Sequence, residues 1–513
     1  MQQALQCDIL IVGGGINGAG IARDAAGRGL SVVLCEKDDL AAHTSSASTK
    51  LIHGGLRYLE NYEFGLVRKA LIEREILLRS APHIMHPLRF VMPHDKGQRP
   101  AWMIRAGLFL YDHLAKRELL PGSCGINLRT HTAGSPLKEE FSKGFVYSDG
   151  WVNDARLVVL NAIAAAEQGA HILTRTACVA VTRQADKWQA TLRSKDNAEI
   201  QVQAKLLVNA AGPWAASFLH DTVHGRSGKK LRLIKGSHIV VKKLFDHPYA
   251  YIFQHPDGRI VFAIPYEQDF TLIGTTDIDY HGDTDHVAID ASEIAYLCEL
   301  SNYYFRQTIS PSDVVWSYSG VRPLVEDVSD DDNEKASAVT RDYKLAIDTD
   351  AAPVLTIFGG KITTFRKLAE EAVDLIAPLL NNRHGAWTTD ALLPGGDIYG
   401  AQANKRAVLE FDEYVHELQQ EYAWLPAALV ERYARAYGTR IKLLLENRNS
   451  IADMGEEIAP GLFAAEVAYL TQYEWATSTE DILWRRTKLG LHLTQGNAAR
   501  SSLNHWFQEL DKQ

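Results

Sequence analysis

This sequence has no apolar run approaching the ~18 residues that a membrane-spanning helix requires. It is expected not to cross a bilayer, although nothing prevents it from lying on one. Cysteine is scarce. Cys7, Cys35, Cys124, Cys178 and Cys298 stand far apart, form no CxxC pair and are odd in number. That argues against a disulfide framework or a zinc site and for reduced thiols in a cytosolic setting. Basic residues are in deficit too: 54 Lys and Arg against 63 Asp and Glu leave a net charge of −9, with an isoelectric point near 6.1. Nucleic acid is thereby excluded as the main partner, local basic patches aside. The first residues, MQQALQC, run into the strand-like DILIV with no basic segment before it, so no signal peptide is expected.

What is present is ordinary in bulk. The 513 residues are 46% hydrophobic and 23% charged, with mean hydropathy −0.17, which suits two or three soluble domains with large cores. The informative part begins at once. Asp8–Val12 is a short apolar run fit for a buried parallel strand, followed by Gly13-Gly14-Gly15-Ile16-Asn17-Gly18, a helical pattern and a second apolar run ending at Glu36. Glu36 lies 21 residues past Gly15 (36 − 15), where an acid binding a ribose hydroxyl belongs. Such glycines let the backbone approach a pyrophosphate, and the helix N-terminus supplies N–H donors and a positive dipole. A dinucleotide is expected here.

Gly-x-Gly-x-x-Gly does not recur, which disfavours a flavin enzyme reduced through its own nicotinamide domain. Instead the loop TSSASTKLIHGGLRYLE, Thr44–Glu60, brings small hydroxyl residues, paired glycines and Lys50, His53, Arg57 and Tyr58 together. Two later strand-to-helix junctions repeat the small-residue theme: LLVNAAGPW at Leu206–Trp214 and IFGGKITTFRKL at Ile357–Leu368. Three junctions and one small-residue loop suit a single extended ligand held by segments scattered along the chain. Lys361 opens a helix after Gly359-Gly360; backbone N–H groups and an ammonium there stabilise negative charge.

With the blocks IVGGGINGAGIARDAAGRGL, SSASTKLIHGGLRYLE, LIKGSHIVV, IGTTD, YSGVRPL, FGGKITTFRKLAE and LWRRTKLGL, the chain resembles the aerobic, quinone-linked FAD-dependent glycerol-3-phosphate dehydrogenases. The resemblance implies an α/β fold: an FAD-binding Rossmann-like domain of glutathione-reductase type, a substrate domain on a mixed β-sheet, and an all-helical C-terminal cap. The expected boundaries are 1–80, 145–235 and 340–394 for the FAD domain, 81–144 and 236–339 for the substrate domain, and 395–513 for the cap. Tyr249–Gln254, Arg259–Ile264 and Phe270–Gly274 read independently as strands, the first two joined by His-Pro-Asp-Gly. Ala427–Tyr437, Leu462–Tyr473 and Asp481–Leu491 have helical spacing. The acidic run Glu326–Glu334 reads as a solvated loop.

The resemblance also implies function: oxidation of sn-glycerol 3-phosphate to dihydroxyacetone phosphate by hydride transfer to FAD, with the electrons passed to a membrane quinone. Flavin contacts are then expected from Gly13, Gly15, Asn17, Gly18 and Glu36; from Thr44, Ser45, Ser46, Ser48, Gly54 and Gly55; from Ala211, Gly212 and Trp214; and from Gly359, Gly360, Lys361 and Thr363. Arg57 and Arg322 match the phosphate end, where a planar guanidinium fork suits a dianion. Lys50, Tyr58 and Thr276 complete the expected substrate wall. His53 and His238 are both candidates for the proton acceptor, with Arg322 and Lys361 assisting.

The stretch WMIRAGLFLYDHLAKRELL, Trp102–Leu120, has bulky apolar residues beside Arg105, Lys116 and Arg117, a combination that lies in a membrane interface. Peripheral attachment to the cytoplasmic side of the inner membrane is expected; a homodimer is left open. Three rivals remain: a glycerol-3-phosphate oxidase using molecular oxygen, an amine or amino-acid oxidase with an arginine–tyrosine carboxylate clamp, and a non-enzymatic flavin module.

Overall fold

The computed structural model describes residues 4–95, 97–225, 229–254, 259–327, 342–493 and 496–510. The expected turn His255–Gly258 and all but the start of the acidic run at Glu326 lie outside them.

Two sheets organise the chain. In the first, of eight strands, Lys344–Asp348, Val354–Phe358, Glu199–Asn209, Leu5–Val12, Val32–Cys35 and His171–Leu173 lie side by side in that order. Its centre is parallel, with Ile9 opposite both Val32 and Leu206, and Leu207 opposite Val354. Ile9, Leu10 and Ile11 are fully buried, so this strand reads as an unbroken apolar run rather than an alternating one. Helices Ile16–Gly27, Asp154–Glu167 and Phe365–Ile376 pack together over one face. The first of them starts where the strand Leu5–Val12 ends, which fixes the glycine turn at the carboxyl edge of the sheet.

The second sheet has ten strands and is mixed. Ala250–Gln254, Ile260–Tyr266 and Phe270–Gly274 form the expected antiparallel meander. Lys229–Lys242 pairs with Val314–Asp327 along nearly its whole length, with Ile234 opposite Arg322 and His238 opposite Tyr318. Because alternate residues share a face, Gly236 and His238 stand beside Tyr318, Gly320 and Arg322 on one side of this pair. The strand Lys143–Val152 also belongs to this sheet. The boundary expected at 144/145 therefore moves beyond residue 152, to the loop before helix Asp154–Glu167. The boundary expected at 235/236 falls inside Lys229–Lys242.

The C-terminal segment is helical as expected, with Ala427–Tyr437 formed over the anticipated residues. One short antiparallel pair, Glu457–Ala459 with Leu462–Phe463, interrupts it, so the helix expected from Leu462 starts at Ala464. Buried ion pairs tie this cap to the first domain: Arg486 donates to Asp39 at 2.8 and 2.9 Å, and Arg156 pairs with Glu474. Among the described residues, no helix is long and apolar enough to cross a membrane.

Candidate active site

At the carboxyl edge of the first sheet lies a cavity of about 350 Å³ lined by Gly13, Gly15, Glu36, Thr44 and Ser45, and by Ala211, Gly212 and Trp214. Gly13 has φ +112°, and a Cβ there would lie 2.5 Å from the Ala210 carbonyl oxygen, so no larger residue fits. Gly15 caps the helix Ile16–Gly27 without a side-chain bond, which leaves the amide end facing the cavity. The Glu36 carboxylate accepts from Gly14 N–H at 2.7 Å and Asp38 N–H at 2.9 Å. Burial raises its pKa, and the two amides hold the charged form in place. Ile16 N–H donates to Ser45 Oγ at 3.0 Å, so the small-residue loop is fastened to the glycine turn.

A second cavity, of about 250 Å³, shares Thr44 and Ser45 with the first. Ser48, His53, Tyr58, His238, Arg322, Gly359, Gly360, Lys361 and Thr363 all stand in its wall. Gly236 and Gly320 in its wall, and Gly274 behind His238, make room for it. A Cβ on Gly236 would lie 2.3 Å from the Arg322 guanidinium, one on Gly274 2.2 Å from the His238 ring, and one on Gly320 2.7 Å from Ala47 Cβ. The guanidinium is held from behind: Arg322 donates to the Thr276 carbonyl at 2.9 Å and sits 3.3 Å from Asp277. Across the cavity the Lys361 ammonium lies 3.8 Å from the Tyr58 ring centroid, an attraction between cation and π face. His238 is buried, stacked on Tyr318 at 4.7 Å, and its Nε2 lies 3.0 Å from Thr49 Oγ1. Burial, then the charges of Lys50 and Arg322, drive its pKa well below the ordinary value, so the imidazole is neutral.

Several expected residues serve other purposes. Lys50 is fully buried and bonds both Asp154 carboxylate oxygens at 2.9 Å. Asp154, at the start of a buried helix, needs a cation, so Lys50 is unavailable to a substrate. Thr276 is likewise committed: its hydroxyl donates to Glu293 at 2.7 Å and accepts from Ser237 N–H at 2.9 Å. Its role is to hold Arg322 through its carbonyl. Arg57 lies half-buried on the turn Leu56–Asn61, outside the cavity wall. Gly54 backs onto Leu71 and Tyr111, while Gly55, at φ +74°, makes way for the Tyr58 ring. Gly18 touches the Gly13 carbonyl, serving helix–strand packing. Asn17 donates to the Gly359 carbonyl at 3.1 Å and joins the first and last glycine segments. Ser46 faces a third cavity.

Sequence reasoning did not single out Thr49, Phe262, Thr275 or Gly320, which share the substrate wall. Thr275 and Gly320 lie within the quoted IGTTD and YSGVRPL blocks, and strand alternation from Arg322 would have reached Gly320. Glu293 had no such signal. It is 2% exposed and takes bonds from Ser237, Thr276 and Lys235 at 2.7–2.8 Å, so it anchors the carbonyl behind Arg322.

Residues 8–366 match a family model described as FAD dependent oxidoreductase, and residues 386–512 match the C-terminal domain of alpha-glycerophosphate oxidase. The glycerol-3-phosphate dehydrogenase of Pseudomonas aeruginosa is 54% identical, over 96% of this chain and 94% of its own length. The D-erythritol 1-phosphate dehydrogenase of Brucella abortus is 49% identical over 100% and 99%, and the aerobic glycerol-3-phosphate dehydrogenase of Escherichia coli K12 is 48% identical over 99% and 98%. A crystal structure of glycerol-3-phosphate dehydrogenase from Bacillus halodurans complexed with FAD superposes with TM-score 0.78 at 27% identity, covering 98% of this chain and 90% of that one. The helix N-terminus at Gly15, the side-chain-free approach at Gly13 and the amide-held Glu36 carboxylate fit the adenosine and pyrophosphate of FAD. The protein belongs to the FAD-dependent oxidoreductase family, in the branch that carries the glycerol-3-phosphate dehydrogenases.

Proposed function

We propose that the protein oxidises sn-glycerol 3-phosphate to dihydroxyacetone phosphate and delivers the electrons to a membrane quinone. One observation carries the substrate reading. Arg322 and His238 stand on one face of a paired strand, beside the cavity that Gly359, Gly360 and Lys361 close. FAD, when bound, supplies the hydride acceptor. The Arg322 fork takes the phosphate and sets the distance from it to the secondary alcohol. The neutral imidazole of His238 accepts the hydroxyl proton. Protonation beside two cations is unfavourable in the free enzyme, and the substrate's dianion offsets the Arg322 charge at the moment a base is needed. Lys361 and the amides after Gly360 would hold negative charge on the flavin as it is reduced.

Relatives of nearly equal identity bear the names of two polyol phosphates, so glycerol 3-phosphate and D-erythritol 1-phosphate belong in the same assay. Anaerobic mixing with glycerol 3-phosphate should bleach the yellow holoenzyme, and a quinone analogue should restore its colour. Restoration by oxygen alone would favour an oxidase. A protein that bleaches only with an amine would remove the reading.

The same reading places the protein on the cytoplasmic face of the inner membrane, because a quinone tail does not leave the bilayer. Helix Ala101–His113 supports it: Trp102 is 70% and Phe109 57% exposed, with Met103 and Leu110 beside them on one stripe. The cations contribute less than their number suggests. Arg105 donates to Ser123 at 2.7 Å, Arg117 to the Asp112 carbonyl at 2.9 Å, and Lys116 pairs with Glu118 at 2.5 Å. The apolar stripe therefore makes the contact, and flotation with vesicles tests it.

A further inference from the structure

Thr49 lines the substrate cavity, yet the chemistry above gives it no task. Its neighbours on both sides are pinned. The Ser48 hydroxyl donates to Asp154 at 2.8 Å, and the Ser48 carbonyl accepts from the Tyr318 hydroxyl at 2.8 Å. Lys50 holds the same Asp154 with its ammonium and donates its backbone N–H to Ser48 Oγ at 2.9 Å. The buried Lys50–Asp154 pair thus serves the site from behind, by fixing the backbone that carries Thr49. Between these anchors the Thr49 Oγ1 stands 3.0 Å from His238 Nε2.

His238 does not face the cavity openly. One side of its ring stacks on Tyr318 at 4.7 Å. The edge carrying Cδ2 and Nε2 lies against Gly274, where a Cβ would come within 2.2 Å of Cδ2 and 2.9 Å of Nε2. The residue is 2% exposed, and Nδ1 is buried with no hydrogen-bond partner among the described residues. Among those residues, therefore, Nε2 is the ring nitrogen joined to a group of the cavity wall, and that group is the Thr49 hydroxyl. A hydroxyl has one hydrogen to give and lone pairs to accept another. With an imidazole behind it, it can do both at once.

We propose that Thr49 is a catalytic residue whose hydroxyl takes the proton of the substrate alcohol while passing its own hydrogen to His238 Nε2. The proposal rests on the reading above that His238 is the base, and adds the route by which the proton arrives. The bonds balance. The C–H bond of the secondary alcohol breaks as hydride leaves for FAD, and the O–H bond breaks as Thr49 Oγ1 takes the proton. The former Oγ1–H becomes Nε2–H. Carbon ends as a ketone, Thr49 is regenerated, and the imidazole carries the positive charge.

The test is anaerobic stopped-flow reduction of FAD-loaded enzyme by glycerol 3-phosphate. Thr49→Val keeps the side chain's shape and removes the hydroxyl. Its limiting reduction rate should fall about 100- to 10,000-fold, the contribution of a positioned base, while half-saturation by substrate changes little because Arg322 is intact. Thr49→Ser, which keeps the hydroxyl, should recover most of that rate. His238→Gln should be about as slow as Thr49→Val, and the double variant no slower than either, since members of one relay fail together. Equal losses in Thr49→Ser and Thr49→Val would make the residue a packing group and overturn the relay. Additive losses in the double variant would overturn it too. A Thr49→Val enzyme at the wild-type rate beside a slow His238→Gln removes the relay and leaves His238 as the base. A His238→Gln enzyme at full rate removes both.

Discussion

Replacing Arg322 by alanine separates substrate recognition from folding. Its side chain is 31% exposed, donates to the Thr276 carbonyl and pairs with Asp277. The cost should therefore appear in substrate binding. A charge-assisted bond to phosphate is worth ~1.5–3 kcal/mol, so kcat/KM for glycerol 3-phosphate should fall about 10- to 150-fold. The upper half of that range is expected, because the substitution also removes the cation 3.3 Å from the Asp277 carboxylate. Glycerol, which lacks the phosphate, should be nearly unaffected. Arg322→Lys should fall between, since an ammonium restores charge without the fork. Arg57→Ala should cost less than Arg322→Ala, given that Arg57 lies outside the cavity wall. Anaerobic stopped-flow reduction of the flavin, run with both substrates, measures these effects before any acceptor intervenes. If glycerol and glycerol 3-phosphate lose rate equally in Arg322→Ala, the arginine maintains the site's shape and the phosphate assignment is wrong.

Glu36→Ala removes the carboxylate that two backbone amides hold at the ribose position; flavin absorbance retained after dialysis should drop, while rates in FAD-saturated enzyme should hold. Lys50→Met strands Asp154 as a buried, unpaired carboxylate, so stability should fall by ~3–5 kcal/mol in denaturant melts; an unchanged midpoint would mean that Asp154 finds another partner. The acid limb attributed to His238 should sit higher in kcat than in kcat/KM, because bound phosphate offsets the Arg322 charge that lowers its pKa; coincident limbs would exclude it as the base. His83 is 2% exposed, with its pKa lowered to about 3 by burial and then by Arg156 and Arg440. The unfolded chain takes up a proton near pH 6.5 and the folded one does not, so stability should decline from there down to about pH 3, by ~1.4 kcal/mol per unit, and His83→Leu should flatten that slope. Trp102→Ser with Phe109→Ser should abolish vesicle flotation more completely than Lys116→Glu, since burying one large apolar side chain contributes ~1.5–3 kcal/mol.

The parts of this molecule that were legible in the sequence are those set by local rules. The glycine turn, the strand before it and Glu36 are bound together by backbone geometry over a few dozen residues, so spacing reveals them. The meander from Ala250 to Gly274 is similarly local. The edge expected at 144/145 cuts into Lys143–Val152, a strand that pairs, among the described residues, only within the second sheet; it is buried almost throughout, so its residues carry no sign of which sheet it joins.

The side-chain assignments divide along the same line. Lys50, His53 and Tyr58 occupy one loop, yet Lys50 is withdrawn by Asp154, 104 residues away, and no pattern near Lys50 announces that partner. A cation's role depends on which carboxylate folds against it, and that is a property of long-range packing. His238 and Arg322 show the converse. They are 84 residues apart (322 − 238), but once the two strands are paired antiparallel, alternation alone places them on one face. Chemical analogy found the residue types; the register of one pair of strands decided which of them meet.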